Sequence, residues 1–242
     1  MSNEASSSKP SPILSALGQP TTPQTINGKD ERAFERWRKS AAWITGIGLS
    51  PEEQAQRQSQ RELKKEEAQW MRCEKWKEEL LKTSPAVTFM MKHLHASGAK
   101  VTGDHIHCQP CQLTRAGGFS PESGILLCQD GFWSKSHMED TMVHELVHMY
   151  DHAKFKVDWK DLRHHACSEI RAANLSGDCK WSREIRRGFY TFSKQHQDCV
   201  RRRAVLSVMS HPDCGDQVKA EKAVNEVWES CLKDTRPFDE VY

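Results

Sequence analysis

Between Thr141 and Asp151 the chain reads Thr-Met-Val-His-Glu-Leu-Val-His-Met-Tyr-Asp, with two histidines four positions apart and a glutamate directly after the first. A helix turns about 100° per residue, so His144 and His148 stand one turn apart on one face, where both imidazoles can reach a single metal ion. Glu145 lies beside them, placed to take a proton from water rather than to bind the ion. This H-E-x-x-H pattern points to peptide-bond hydrolysis. Zinc lowers the pKa of a water toward about 7, the carboxylate removes its proton, and the nucleophile so formed attacks a polarised carbonyl.

A catalytic zinc takes a third protein ligand and keeps one position open. The extension H-x-x-G-x-x-H is broken here, because its glycine slot holds Asp151 and its last histidine slot holds Lys154. The candidates lie further on, in His164-His165-Ala166-Cys167-Ser168-Glu169. Glu169 falls in mid-helix at a separation that suits a carboxylate from a second, packed helix, which would complete a His₂Glu set. His165 or His164 is the next choice. Asp151 comes last, since a residue three after His148 is better placed to orient an imidazole than to bind metal.

The elements that must position these groups are partly readable. Ser136-His137-Met138-Glu139 reads as a capping box that starts the motif helix, and Met142, Leu146 and Met149 form the apolar stripe behind it. Gly124 to Cys128 is the most strand-like run, with further strands expected at Lys100–Thr102 with His105–Cys108, and at Cys111–Arg115 before Gly117-Gly118. His105 and His107 alternate on one face but lack the further ligands of a second metal site. Helices are expected over Asp30–Trp43, from Ser50-Pro51-Glu52-Glu53 to Lys82, over Pro85–His95, and over Leu162–Leu175 closed by Ser176-Gly177. Arg183 to Ser210 reads as one long helix ending at His211-Pro212, and Val218 to Leu232 as the last. The domain reading is a disordered tail over 1–28, a helical arm over 29–82 whose charged face is solvated, and a main domain over 83–242. The C-terminal Pro-Phe-Asp-Glu-Val-Tyr reads as a short docking tail.

Composition narrows the setting. With 28% charged residues and no run of eighteen apolar ones, the sequence offers no membrane-spanning helix. The net charge of +2, with Arg201-Arg202-Arg203 as the compact basic cluster, argues against a nucleic-acid partner. Nine cysteines include Cys108-Gln-Pro-Cys111, but no second pair follows at zinc-ribbon spacing, so disulfides are expected with at least one thiol left over. Cys199, Cys214 and Cys231 lie where a bridge could staple the last two helices. Residues 1–28 have neither the apolar core of an export signal nor an arginine of a transit peptide. Disulfides without either signal point to an unusual oxidising space, and the mitochondrial intermembrane space fits.

The run His144-Glu-Leu-Val-His148, then Tyr150-Asp151, Val157-Asp158-Trp159, Leu162-Arg-His-His-Ala-Cys-Ser-Glu-Ile-Arg-Ala172 and Leu175-Ser-Gly-Asp-Cys179 resembles the mitochondrial inner-membrane metalloproteases that mature ATP synthase subunit 6. The resemblance extends from about Cys73 to the C-terminus. It implies a peripheral protein on the intermembrane-space side, oxidised on import, with the subunit 6 precursor as substrate and other ATP synthase assembly factors as partners. It assigns metal binding to His144 and His148 and catalysis to Glu145, while Glu169 rests on spacing. The expected fold is α+β and zincin-like, of gluzincin type, mostly helical with a small sheet that includes Gly124–Cys128. An extended substrate could add to an exposed edge of that strand. The alternatives are a non-proteolytic assembly chaperone with a dispensable metal site, and a nuclear zincin acting on DNA-bound proteins, which the near-neutral charge disfavours.

Overall fold

A computed structural model of the chain describes residues 33–111, 115–190 and 194–239, which fall in two units, Met1–Arg61 and Glu62–Tyr242. The expected tail over 1–28 lies outside the described residues. In the first unit, helix α1 spans Ala33–Thr45, and α2 (Pro51–Thr83) begins there and continues into the second unit. The start of α2 is a reciprocal cap: Glu53 N–H donates to Ser50 Oγ at 3.3 Å and Ser50 N–H to Glu53 Oε2 at 2.8 Å. Arg57 closes the end of α1 by donating to the Trp43 and Ile44 carbonyls at 2.5 and 2.6 Å.

The second unit continues with α3 (Pro85–Ala96), a 3₁₀ turn at Gly103–His105, strands β1 (Ile106–Gln109), β2 (Gly117–Ser120) and β3 (Gly124–Cys128), and helices α4 (Lys135–Lys154) and α5 (Leu162–Leu175). It ends with α6 (Trp181–Arg186), α7 (Gln195–Met209) and α8 (Gln217–Lys233). This is an α+β architecture, mostly helical with one three-stranded sheet in the order β1-β3-β2. β1 pairs parallel to β3, with Ile106 opposite Ile125, and β2 pairs antiparallel, with Phe119 opposite Ile125.

That order corrects the expected substrate edge. β3 is paired on both sides, so Gly124–Cys128 has no free backbone edge, and the open edges among the described residues belong to β1 and β2. Lys100–Thr102 is not a strand, because the chain enters a 3₁₀ turn before β1 begins. Of the expected strand at Cys111–Arg115, residues 112–114 lie outside the described residues, and the two ends are not in a strand. The pairing strand is instead the Gly-Gly run read as its terminator. The reason is steric: a Cβ on Gly117 would stand 2.9 Å from Thr141 Cγ2 and 3.3 Å from Glu145 Oε1 of α4, so β2 reaches the helix only without a side chain there.

Helix α4 starts earlier than expected, capped by Ser134, whose Oγ accepts from His137 N–H at 3.1 Å. Ser136 and Glu139 serve tertiary partners instead, accepting from Arg183 and from the Ser84 hydroxyl. Met138, Met142 and Leu146 of α4 are wholly buried against Val87, Met90 and Leu94 of α3 and Ile125 and Leu127 of β3. Each such side chain stabilises the fold by about 1.5–3 kcal/mol relative to exposure. A second core joins α5, α7 and α8 through Ala166, Ile170, Val200, Ala204, Ala220 and Val224, all wholly buried, with the three alanines permitting close helix approach.

The long helix expected from Arg183 to Ser210 is two helices. Gly188, at φ +87°, ends α6 in a left-handed turn whose next N–H, that of Phe189, donates back to the Glu184 carbonyl at 2.9 Å. The four disulfides are Cys73–Cys108, Cys111–Cys128, Cys167–Cys231 and Cys179–Cys199, with Cys214 free and buried. No bridge joins α7 to α8. Cys231 faces α5, which carries Cys167, and Cys199 faces the segment after α5. Of the expected C-terminal docking tail, Phe238 stacks on Phe89 at 4.8 Å between ring centroids, and residues 240–242 lie outside the described residues. No described helix is long and apolar enough to cross a membrane.

Candidate metal centre

Helices α4 and α5 pack together, and their facing surfaces bring His144, His148 and Glu169 to one point. His144 Nε2 lies 3.5 Å from Glu169 Oε2 and His148 Nε2 lies 3.4 Å from Glu169 Oε1, while the two rings stand 4.8 Å apart at 80°. Tetrahedral ligands at zinc bond lengths of about 2.1 Å are about 3.4 Å apart, so the spacing fits such an ion. Two imidazoles and one carboxylate are also the donor types that a borderline divalent metal selects.

The surroundings hold His148 in the tautomer a metal requires. Its Nδ1 is 2.7 Å from Ser168 Oγ, and that hydroxyl donates its single proton to Asp151 Oδ2 at 2.9 Å. Ser168 can therefore only accept from the imidazole, which puts the proton on Nδ1 and leaves Nε2 free to bind. Asp151 is held in turn by the buried Arg171, whose Nε donates to it at 3.1 Å and whose Nη1 donates to the Asp234 carbonyl at 2.6 Å. His144 Nδ1 is buried with no hydrogen-bond partner among the described residues.

Glu169 is only 9% exposed. Burial pushes its pKa up, but the charge of His148 and hydrogen bonds from His144, His148 and His165 outweigh that and hold it well below the usual carboxylate range. Glu145, 6% exposed, behaves oppositely: burial raises its pKa against the pull of His144 and His148, which suits a group that must accept and release a proton. Its carboxylate faces the Gly117 backbone of β2, on the open edge of the sheet.

The other ligand candidates take different places. His165 Nε2 sits 3.2 Å from Glu169 Oε1, against the carboxylate rather than among the three converging donors. His164 is exposed, and its Nδ1 accepts from Asp158 N–H at 3.0 Å. Asp151 is engaged by Ser168 and Arg171. Sequence reasoning missed Ser168, Arg171 and Trp159 as parts of the site. The spacing of Ser168 and Arg171, next to and two beyond Glu169, puts them on the same short helix, but only the packing shows that they reach Asp151.

A buried carboxylate beside two helix-borne histidines and an acidic third donor is the arrangement of a metal-dependent peptidase, and the chain belongs to the Peptidase M76 family, a metallopeptidase family whose pattern matches residues 71–239. Its relatives agree with that class. The mitochondrial inner membrane protease atp23 of Neosartorya fischeri is 46% identical over 233 residues, covering 93% of this chain and 98% of the relative. The protein of that name from Yarrowia lipolytica is 43% identical over 235 residues, covering 97% of this chain and 90% of its own, and that of Eremothecium gossypii 46% identical over 243, covering 96% of each. No solved structure matches the chain.

Proposed function

We propose that this peptidase is a zinc-dependent endopeptidase of the mitochondrial inner membrane, attached peripherally on the intermembrane-space side, which removes the N-terminal propeptide of ATP synthase subunit 6 and assists its assembly into the Fo sector. The observation that carries the catalytic part is the convergence of His144, His148 and Glu169 beside a Glu145 that is free of the cluster. The relatives' printed names support the membrane, and four disulfides support an oxidising compartment.

His144, His148 and Glu169 would hold the zinc, which when bound supplies Lewis-acid activation of water and of the scissile carbonyl. Glu145 takes the proton of the attacking water and passes it to the leaving nitrogen. Ser168, Asp151 and Arg171 keep His148 aimed throughout. The open edge of β2, which passes Glu145 at Gly117, is the place for an extended peptide, replacing the edge expected at β3.

Glu145→Gln keeps the shape and all three ligands. It is expected to retain one zinc per chain and lose propeptide cleavage by at least about a hundredfold. Cleavage at the wild-type rate by zinc-loaded Glu145→Gln would sink this assignment. Subunit 6 assembly, scored in the same cells, separates the chaperone role from the hydrolytic one.

A further inference from the structure

Peripheral attachment requires a surface that lipid can hold, and the α6 region of the second unit has the composition of one. Helix α6 and its flanks read Lys180-Trp-Ser-Arg-Glu-Ile-Arg-Arg-Gly-Phe-Tyr190, with four cations and one acid. What α6 packs on decides which of these face outward. Arg183 is buried against α4, its Nε donating to Asp140 Oδ2 at 2.7 Å and its Nη2 to Ser136 Oγ at 3.0 Å. Glu184 is buried too, its carboxylate accepting from Arg187 at 3.0 Å and from Arg202 at 2.6 Å. A helix that buries positions 183 and 184 turns 181, 182, 185 and 186 away, and Trp181 and Arg186 are indeed exposed, with Lys180 before them. Trp133 joins this face, its ring centroid 5.6 Å from the Arg183 guanidinium. Trp133, Trp181, Phe189 and Tyr190 are 55, 47, 41 and 68% exposed, which leaves much of each ring in water.

We propose that this face of α6 is the membrane-docking surface of the protein and that its occupant is an anionic phospholipid bilayer. The inference rests on the reading of the protein as peripherally attached to a membrane. Two features select lipid. Large aromatic rings with polar tips are the side chains that settle at the headgroup level, where the ring leaves water and the indole N–H or phenol O–H keeps it. The charge is complementary as well: Lys180 and Arg186 are exposed, and the single carboxylate between 180 and 190, that of Glu184, is buried and paired. Lipid phosphates therefore meet cations on this face with no exposed acid of the segment to repel them. The docked orientation also serves the site. With lipid on its outer face, α6 lies between the bilayer and the first turns of α4, where Arg183 holds Asp140. His144 follows Asp140 by one helical turn, so the metal centre is held near the membrane surface.

The test is co-sedimentation of the full-length, oxidised protein with phosphatidylcholine vesicles, with and without phosphatidylglycerol, over a series of salt concentrations. Binding is expected to be at least about tenfold tighter to the anionic vesicles and to weaken as salt rises. Trp181→Ser with Tyr190→Ser should weaken it at least about tenfold, and Arg186→Glu should reduce the preference for anionic lipid at least about fivefold. Val218→Ser, on the exposed surface of α8, and Trp37→Ser with Ile44→Ser, on α1, should leave binding unchanged. Melting temperature identifies a variant that has lost its fold, and hydrogen exchange of the wild type needs no variant: vesicles should slow exchange over 180–190. Unslowed exchange there, unchanged binding in the folded α6 variants, or a loss confined to the α1 variant overturns the surface. Wild type that sediments with mitochondrial inner membranes but not with the vesicles overturns lipid as the occupant. Wild type that sediments with neither removes peripheral attachment itself, a failure distinguishable from that of the α6 face.

Discussion

At His148 a zinc ion bound as proposed would compete with a proton. Burial alone would lower the pKa of this imidazole, but the charge and hydrogen bond of Glu169, with Glu145 and Asp151 behind them, raise it from 6.5 to about 9 in the metal-free protein. Zinc bound as proposed would have to expel a proton at any pH below that value, so through this residue affinity is expected to fall about tenfold for each unit of pH below about 9. Calorimetry at pH 7 in buffers of different ionisation enthalpy should register close to one proton released for this site. Ser168→Ala removes the acceptor that fixes the tautomer and should weaken zinc binding about 10- to 100-fold against a competing chelator. An unchanged zinc affinity would show that the hydroxyl does not orient the ring. The convergence of His144 and His148 beside Glu145 was readable in the sequence because helical periodicity alone aligns them. Ser168 was not, since its partner His148 lies on another helix.

Helix α4 carries a second histidine whose environment makes stability depend on pH. His137 is buried at the helix start, stacked on Trp133 at 3.3 Å between centroids, and burial first, then the charge of Arg183, lowers its pKa from 6.5 to about 4. Between those values the unfolded chain binds a proton that the folded one does not. Stability is therefore full above pH 6.5 and declines as pH falls toward 4, by up to about 3 kcal/mol from this group. Urea unfolding at pH 7 and pH 5 should show a smaller loss in His137→Phe than in wild type, and an equal loss would reject the effect. Helix α5, which carries Glu169, is tied to α8 by Cys167–Cys231, a bridge spanning 64 residues. Replacing both cysteines by alanine should lower stability by about 4 kcal/mol if restriction of the unfolded chain dominates. The helix extents of α3, α5 and α8 were legible to within a residue or two from caps and terminal glycines. The break after α6 was not, because Gly188 inside an amphipathic pattern carries no local mark that it takes a left-handed turn.

Across the whole molecule, oxidation divides the nine cysteines into eight bridged and one buried thiol, Cys214. Thiol labelling of the oxidised protein should therefore find no reactive group when folded and one after unfolding in denaturant without reductant. More than one would show that the bridges are incomplete. Two of the bridges tie down the sheet, linking α2 to β1 and Cys111 to the end of β3, the strand on which β2 is paired.

The sequence by itself determined the chemistry: two imidazoles one helical turn apart with a carboxylate between them, an apolar stripe to bury the back of that helix, and enough cysteines to staple the fold. Those are local facts of periodicity and residue type. Only the tertiary structure decided which strand is the open edge, which cysteines meet, and how Asp151, Ser168 and Arg171 form one hydrogen-bonded chain behind His148. It also decided that the Trp159 ring meets those of His148, His152 and Phe119. Each of these depends on packing between elements far apart in the chain, where the side chains that meet are set by how helices and strands bury one another.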